Sequence, residues 1–148
     1  MSPRKIKTQK IERSKAWICL ARGRELYEAA LEAHTQGRWS LCGIAVVHAV
    51  ISSSDGLLIQ EKGVRSTSAD HMDLADLLSH ELDHLSGIDD ASKHLRRVIS
   101  LKNRVEYEAR IFKPDDAAGM MVHLDRFMVW VGAHEKKASP EDPALYSG

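Results

Sequence analysis

This sequence lacks the means to build a disulfide framework. Its 148 residues hold two cysteines, Cys19 and Cys42, too few to staple a small secreted domain. It also lacks net charge. The 21 Lys and Arg balance 21 Asp and Glu, so the overall field favours neither a nucleic acid nor an anionic membrane surface. Long hydrophobic runs are missing as well. The longest, Leu41 to Ile51, spans 11 residues and includes His48, well short of the roughly 20 needed to cross a bilayer. Residues Met1 to Lys15 are basic and polar with no apolar stretch behind them, so no signal peptide and no membrane partner are expected. Free thiols in the cytoplasm follow as the expected setting. There is no internal repeat and no low-complexity linker.

What remains is the composition of one globular domain. Hydrophobic residues make up 43% and charged residues 28%, and a chain of this size buries roughly 70% of its unfolded surface. A core can therefore form without a metal or other cofactor, and none is expected. Residues 1–12, with Arg4, Lys5, Lys7 and Lys10, read as a basic flexible tail. Residues 13–135 read as a single helical domain. Residues 136–148, with Pro140 and Pro143, read as a disordered C-terminal tail.

Within the domain the apolar spacing is helical. Ala16, Leu20, Gly23, Tyr27 and Ala30 step by four, three, four and three along a first helix over Arg13–Thr35. The segment Ser40–Glu61 is rich in β-branched residues, which suits a strand. It shows no alternation and no proline, however, and it continues through Leu57, Leu58 and Ile59 to Gly63, a C-cap. It reads as one buried helix, with Gly43 and Gly56 as points of close packing. A third helix starts from Ser68 as N-cap and carries His71, Leu74, Leu78, Leu82 and Leu85 until Gly87 ends it. A fourth, capped by Asp89 or Asp90, carries Leu95, Val98, Leu101 and Val105. A fifth begins at Pro114, with Ala117, Met121, Leu124, Met128 and Val131 as its stripe. Five helices, short connections and no convincing strand predict an all-α antiparallel bundle. Trp17, Trp39 and Trp130 are expected to anchor its ends.

His80, Glu81 and His84 spell H-E-x-x-H. In a zinc hydrolase such histidines share the metal while the glutamate activates its water. The helix wheel argues otherwise. At about 100° per residue both histidines fall roughly 110–150° from the centre of the leucine stripe, beside Asp73, Asp76 and Asp83. A solvated face is expected, with a zinc-dependent hydrolase as the alternative. The string also looks like the peptide deformylase signature HExDHLxG, but that family's other motifs are missing upstream.

A second set of residues extends over most of the chain. It runs His48-Ala49-Val50-Ile51, Ser54-Asp55, Arg65-Ser66, Asp70-His71, then Leu101-Lys102-Asn103-Arg104-Val105-Glu106-Tyr107, and finally Asp115-Asp116-Ala117. In order and spacing it resembles the HEPN family, in the bacterial branch with an R-N-x-A-D-Y-like string late in the fourth helix. The resemblance covers roughly Ala16 to Ala133. It implies a helical bundle that commonly pairs as a homodimer. Many members are metal-independent ribonucleases encoded beside a partner nucleotidyltransferase in toxin–antitoxin pairs. Their catalytic string is Arg-x(4–6)-His, and this sequence departs from it at both ends. Lys102 stands where the arginine would be, without its bidentate fork. Tyr107 stands where the histidine would be, with a reference pKa near 10 that makes it a poor base at neutral pH.

Binding of RNA, a nucleotide or the partner nucleotidyltransferase is therefore expected in place of cleavage, in a toxin–antitoxin or defence setting. A pure scaffold or antitoxin-like subunit is a further alternative. The expected binding residues are Lys102 and Arg104 on phosphate and Asn103 and Tyr107 orienting it, with Arg65 and His71 in support. Charge placement agrees in part. Ala69 to Asp90 holds seven acidic residues and no Lys or Arg, whereas Lys93 to Lys113 holds seven basic ones. The simpler reading is that these two helices attract each other. For His48 and His71, on apolar faces, the simpler reading is a hydrogen-bonded core position. The other is a polar cluster of Asp55, Arg65, Asp70 and His71 at one end of the bundle, next to Lys102 and Tyr107.

Overall fold

The protein is described from a computed structural model, covering residues 5–106 and 111–136; of Asn103 only the backbone is described. It is the all-α bundle the spacing predicts. The helices are α1 (Ala16–Thr35), α2 (Trp39–Lys62), α3 (His71–Glu81), α4 (Ile88–Glu106) and α5 (Pro114–His134). A 3-10 turn, Arg13–Lys15, leads into α1.

α2 is the hub and packs against each of the other four helices. Val46, Val47, Val50, Leu57 and Leu58 lie on different sides of it, and all are fully buried. The helix is long and apolar enough to cross a membrane, yet 83% of its most apolar window is buried inside the fold. Core burial thus accounts for its composition. A helix so enclosed has no room for β-branched alternation, which explains why its valines read neither as a strand nor as an amphipathic stripe. Gly63 ends it in the left-handed region (φ 64°), its N–H donating to the Ile59 carbonyl.

Two glycines set how closely the neighbours approach α2. A Cβ on Gly56 would lie 2.6 Å from Leu20 Cγ of α1, and one on Gly43 would lie 2.6 Å from Val105 of α4. Gly23 of α1 meets Ser53 in the same way. The pairings 20 with 56 and 23 with 53 make α1 and α2 an antiparallel hairpin. α4 and α5 form a second, through His94 with His123 and Arg104 with Asp116.

The structure differs from the sequence reading at the start of α4, which begins at Ile88 so that Asp89 and Asp90 lie inside its first turn and do not cap it, and in three further places. First, there is a strand pair. Thr8–Lys10 (β1) runs antiparallel to Val64–Ser66 (β2), with Gln9 opposite Arg65, so part of the stretch read as a flexible tail is hydrogen-bonded to the body. These six residues are polar or half-exposed, leaving no apolar alternation to read. Second, the N-cap of α3 is Asp70, whose carboxylate accepts from the Met72 N–H at 2.9 Å; Ser68 turns instead to Asp73 at 2.6 Å. Third, α3 stops at Glu81, not Leu85. The Ser86 carbonyl accepts from the Trp130 indole at 2.9 Å and is bonded by His134 at 2.7 Å. This grip from the end of α5 draws the chain out of the helix, and Gly87 (φ 83°) then turns it into α4. Trp130 thus anchors as expected, whereas Trp17 is exposed. The expected C-terminal tail, from residue 137 onward, lies outside the described residues.

Candidate functional site

The early end of α3 faces a late turn of α4 across the outward stripe of α2. His71 is the first residue of α3 and is half-buried. Burial holds its imidazole below the usual value, reinforced by the nearby Lys102, with Glu106, His48 and Asp70 as the other charges it senses. At pH 7 it is therefore neutral. Lys102 and Glu106, one turn apart on α4, pair at 3.0 Å, and both are largely shielded. The other Glu106 oxygen lies 3.8 Å from His48 Nε2 of α2. Three helices thus bring one fixed cation and two imidazoles around one carboxylate.

His48 is not a core histidine. Its side chain is 52% exposed, because it lies on the stripe of α2 that also leaves Leu41 and Ile44 exposed among the described residues.

The polar cluster expected at one end of the bundle is split in two along α2. Seven residues beyond His48, roughly two helical turns along the same face, Asp55 is buried against Arg65 NH2 at 3.9 Å. Burial pushes the Asp55 carboxyl up to about 6, against the pull of Arg65 and Arg22. Arg65 Nε is itself buried and makes no hydrogen bond among the described residues. Burial and the Asp55 charge together raise the adjacent Cys19 thiol. Arg65 therefore serves Asp55, and His71 serves the Lys102 cluster.

Arg104 is elsewhere. On the helix it points about 200° away from Lys102. It lies 3.7 Å from Asp116 of α5 and lines a cavity of about 170 Å³ with Arg97, Phe112 and His123. The expected phosphate pair Lys102 and Arg104 is thus not brought together. The side chain of Asn103 and all of Tyr107 lie outside the described residues.

The H-E-x-x-H string does not share one helix. His80 is exposed on the last turn of α3, in a groove with Lys5, Asp76 and Arg96. His84 lies beyond the helix end and bonds Glu61 of α2 at 3.1 Å. Among the described residues no group of three side chains is placed to hold a metal ion. Arg96 pairs with Asp76 at 2.7 Å, so the acidic α3 and basic α4 do attract each other directly.

Sequence reasoning missed two partnerships. Glu106 couples to His48 across 58 positions, of which only its i,i+4 spacing from Lys102 was visible. His94 and His123 meet with their Nδ1 atoms 2.9 Å apart, and nothing local signals it. No protein-family model matches the chain, and no curated protein matches it either.

Proposed function

We propose that this chain is a HEPN-like helical module that binds a phosphate-bearing ligand, RNA or a nucleotide, at the His48–His71–Lys102–Glu106 cluster, without cleaving it. The convergence of Lys102, His48 and His71 from three helices on one carboxylate carries this reading. A phosphate offers the His71 imidazole a negative charge that would favour its protonated form, and Lys102 supplies a fixed cation at the same place. The departures at Lys102 and Tyr107 from the ribonuclease string support binding over turnover. An all-α bundle agrees with the HEPN-like reading, and with it come a cytoplasmic toxin–antitoxin or defence setting and a nucleotidyltransferase as partner.

The test is fluorescence anisotropy with a labelled single-stranded RNA, competed by nucleoside mono- and triphosphates. Lys102→Ala is expected to weaken binding about tenfold, the loss of one charge-assisted contact. Arg104→Ala is expected to change it little, since Arg104 lies on another side of α4. Equal affinity for wild type and Lys102→Ala would refute the assignment. Protonation of His71 should also help the ligand. Binding is expected to strengthen as pH falls from 7.5 to below the ordinary histidine value of 6.5, toward the lowered value at which the His71 imidazole takes up its proton, and a flat profile would count against His71 as a contact.

A further inference from the structure

An open groove runs between α4 and α5 with two imidazoles at its middle. His94 of α4 and His123 of α5 are half-buried there, their Nδ1 atoms 2.9 Å apart. The pair forms the wall between two hollows. One, of about 170 Å³, is lined by His123 with Arg97 and Arg104. The other, of about 650 Å³, is lined by His94 with Lys93 and Arg126.

Arg97 stands one turn after His94 on α4, and Arg126 one turn after His123 on α5. Because the helices run antiparallel, these arginines fall on opposite sides of the pair, roughly 9 Å apart along the groove. Both are exposed. Arg96 and Arg104 of the same α4 each pair with an aspartate. Among the described residues neither Arg97 nor Arg126 makes an ion pair. Carboxylates do reach the rim, Asp90 in the larger hollow and Asp115 and Asp116 in the smaller, with Asp116 taken by Arg104. None of them registers at His123. The charges it senses are His94, Arg97 and Arg126, each cationic or able to become so.

Two neutral imidazoles joined through Nδ1 hold two protons, one in the bond and one on an Nε2. A third proton goes to the other Nε2, which keeps the bond and makes the pair a cation. Arg97 and Arg126 oppose that step, and an anion lying over the groove relieves the opposition. The guanidinium fork matches phosphate oxygens. One phosphoryl group can meet one of these arginines, whereas two joined phosphoryl groups can meet both.

We infer that this groove is a separate anion site, which holds the diphosphate group of a small molecule across His94 and His123, with Arg97 on one phosphoryl group and Arg126 on the other. Protonation of the histidine pair tightens the hold. Arg97 points about 140° away from Lys102 on α4, and no residue is shared with the α2–α3–α4 cluster. The inference does not rest on the ligand reading given for that cluster.

Isothermal titration of the full chain with inorganic pyrophosphate, at fixed ionic strength and without divalent cations, tests it. Arg97→Gln and Arg126→Gln are each expected to weaken binding about tenfold, with an unchanged thermal melt. Arg38→Gln makes the same charge change at an exposed position between α1 and α2, and should alter affinity by less than about twofold. Inorganic phosphate is expected to bind at least about tenfold more weakly than pyrophosphate. The pH arm compares wild type with His123→Gln, so that the ligand's own titration cancels. Their affinity ratio should grow several-fold from pH 8 to pH 6. No binding at about 1 mM pyrophosphate would overturn the proposal. So would an equal loss in Arg38→Gln, phosphate that binds as tightly, or a ratio flat with pH. Loss on Lys102→Ala with none on Arg97→Gln would move the anion to the α2–α3–α4 cluster, and overturn it too.

Discussion

At the scale of the residue, burial decides more than identity. Gly56 would gain helix propensity, about 1 kcal/mol, if replaced by alanine. Its added Cβ would meet Leu20 Cγ at 2.6 Å and the Leu20 backbone nitrogen at 3.0 Å, and a backbone atom cannot swing aside. Gly56→Ala is therefore expected to destabilise by a net of about 1–2 kcal/mol, read as a lower urea midpoint at unchanged slope. Asp55 gives a test with a definite sign. Its folded pKa of about 6 stands above the ordinary 3.8, so its stability contribution is complete below 3.8 and is lost as pH rises through 6. Asp55→Asn should gain on wild type by up to about 3 kcal/mol between pH 4 and pH 8, read from urea unfolding at each pH. A constant difference would show that Arg65 and Arg22 already neutralise the carboxylate. The sequence made Asp55, Arg65, His71 and Lys102 visible as polar residues at suggestive positions. It could not show that seven positions along α2 separate two clusters, because that follows from which neighbour covers each turn.

Elements are joined by side chains that spacing does not reveal. Burial alone would raise the Glu61 carboxyl, but hydrogen bonds from Gln60, His84 and Lys136 carry it down to about 2. The end of α2 thereby holds the turn after α3 and the chain leaving α5. His84→Ala is expected to weaken that junction most above pH 4.5, where Glu61 is ionised in both states, and to matter little near pH 2. Hydrogen exchange of amides 82–87 would report it. The α4–α5 hairpin has its own clasp. His94 and His123 have ring centroids 5.2 Å apart and nitrogens 2.9 Å apart, so the rings point almost head-on, as one N–H donating to one lone pair. Two protonated rings cannot keep that bond. Burial, then His94, Arg97 and Arg126, hold the His123 pKa below 6.5. Its contribution is thus full above 6.5 and lost as pH falls toward the folded value. Asp55 drifts oppositely, so the clean readout is wild type minus His123→Gln, whose stability advantage should shrink between pH 7.5 and 5.5. Helix existence was legible throughout because each stripe keeps a 3.6-residue period. The end of α3 was not, since it is set by Trp130 and His134, 44 and 48 positions from Ser86.

For the molecule as a whole, α2 explains why a chain of zero net charge and few aromatics folds without cross-links: one apolar helix supplies a surface to every other. The all-α class was legible from that arrangement of stripes. The strand pair was not, because Thr8, Gln9 and Lys10 are exposed polar residues tied down by backbone pairing, flanked by Ile11 N–H to the Gly63 carbonyl at 2.8 Å and Thr67 N–H to the Lys7 carbonyl at 3.0 Å. Removing residues 1–12 also takes away Ile6 and Ile11, which pack against the core, and should therefore cost at least about 2 kcal/mol, and it should also loosen the segment that carries Arg65 and leads to His71. A shortened chain that melts at the wild-type temperature would contradict this. The same pairing has a consequence in time. A ribosome makes β1 first but its mate 56 positions later, so the opening residues must wait, unmatched, until the whole α1–α2 hairpin has emerged behind them, and closing that seam belongs among the later events of folding.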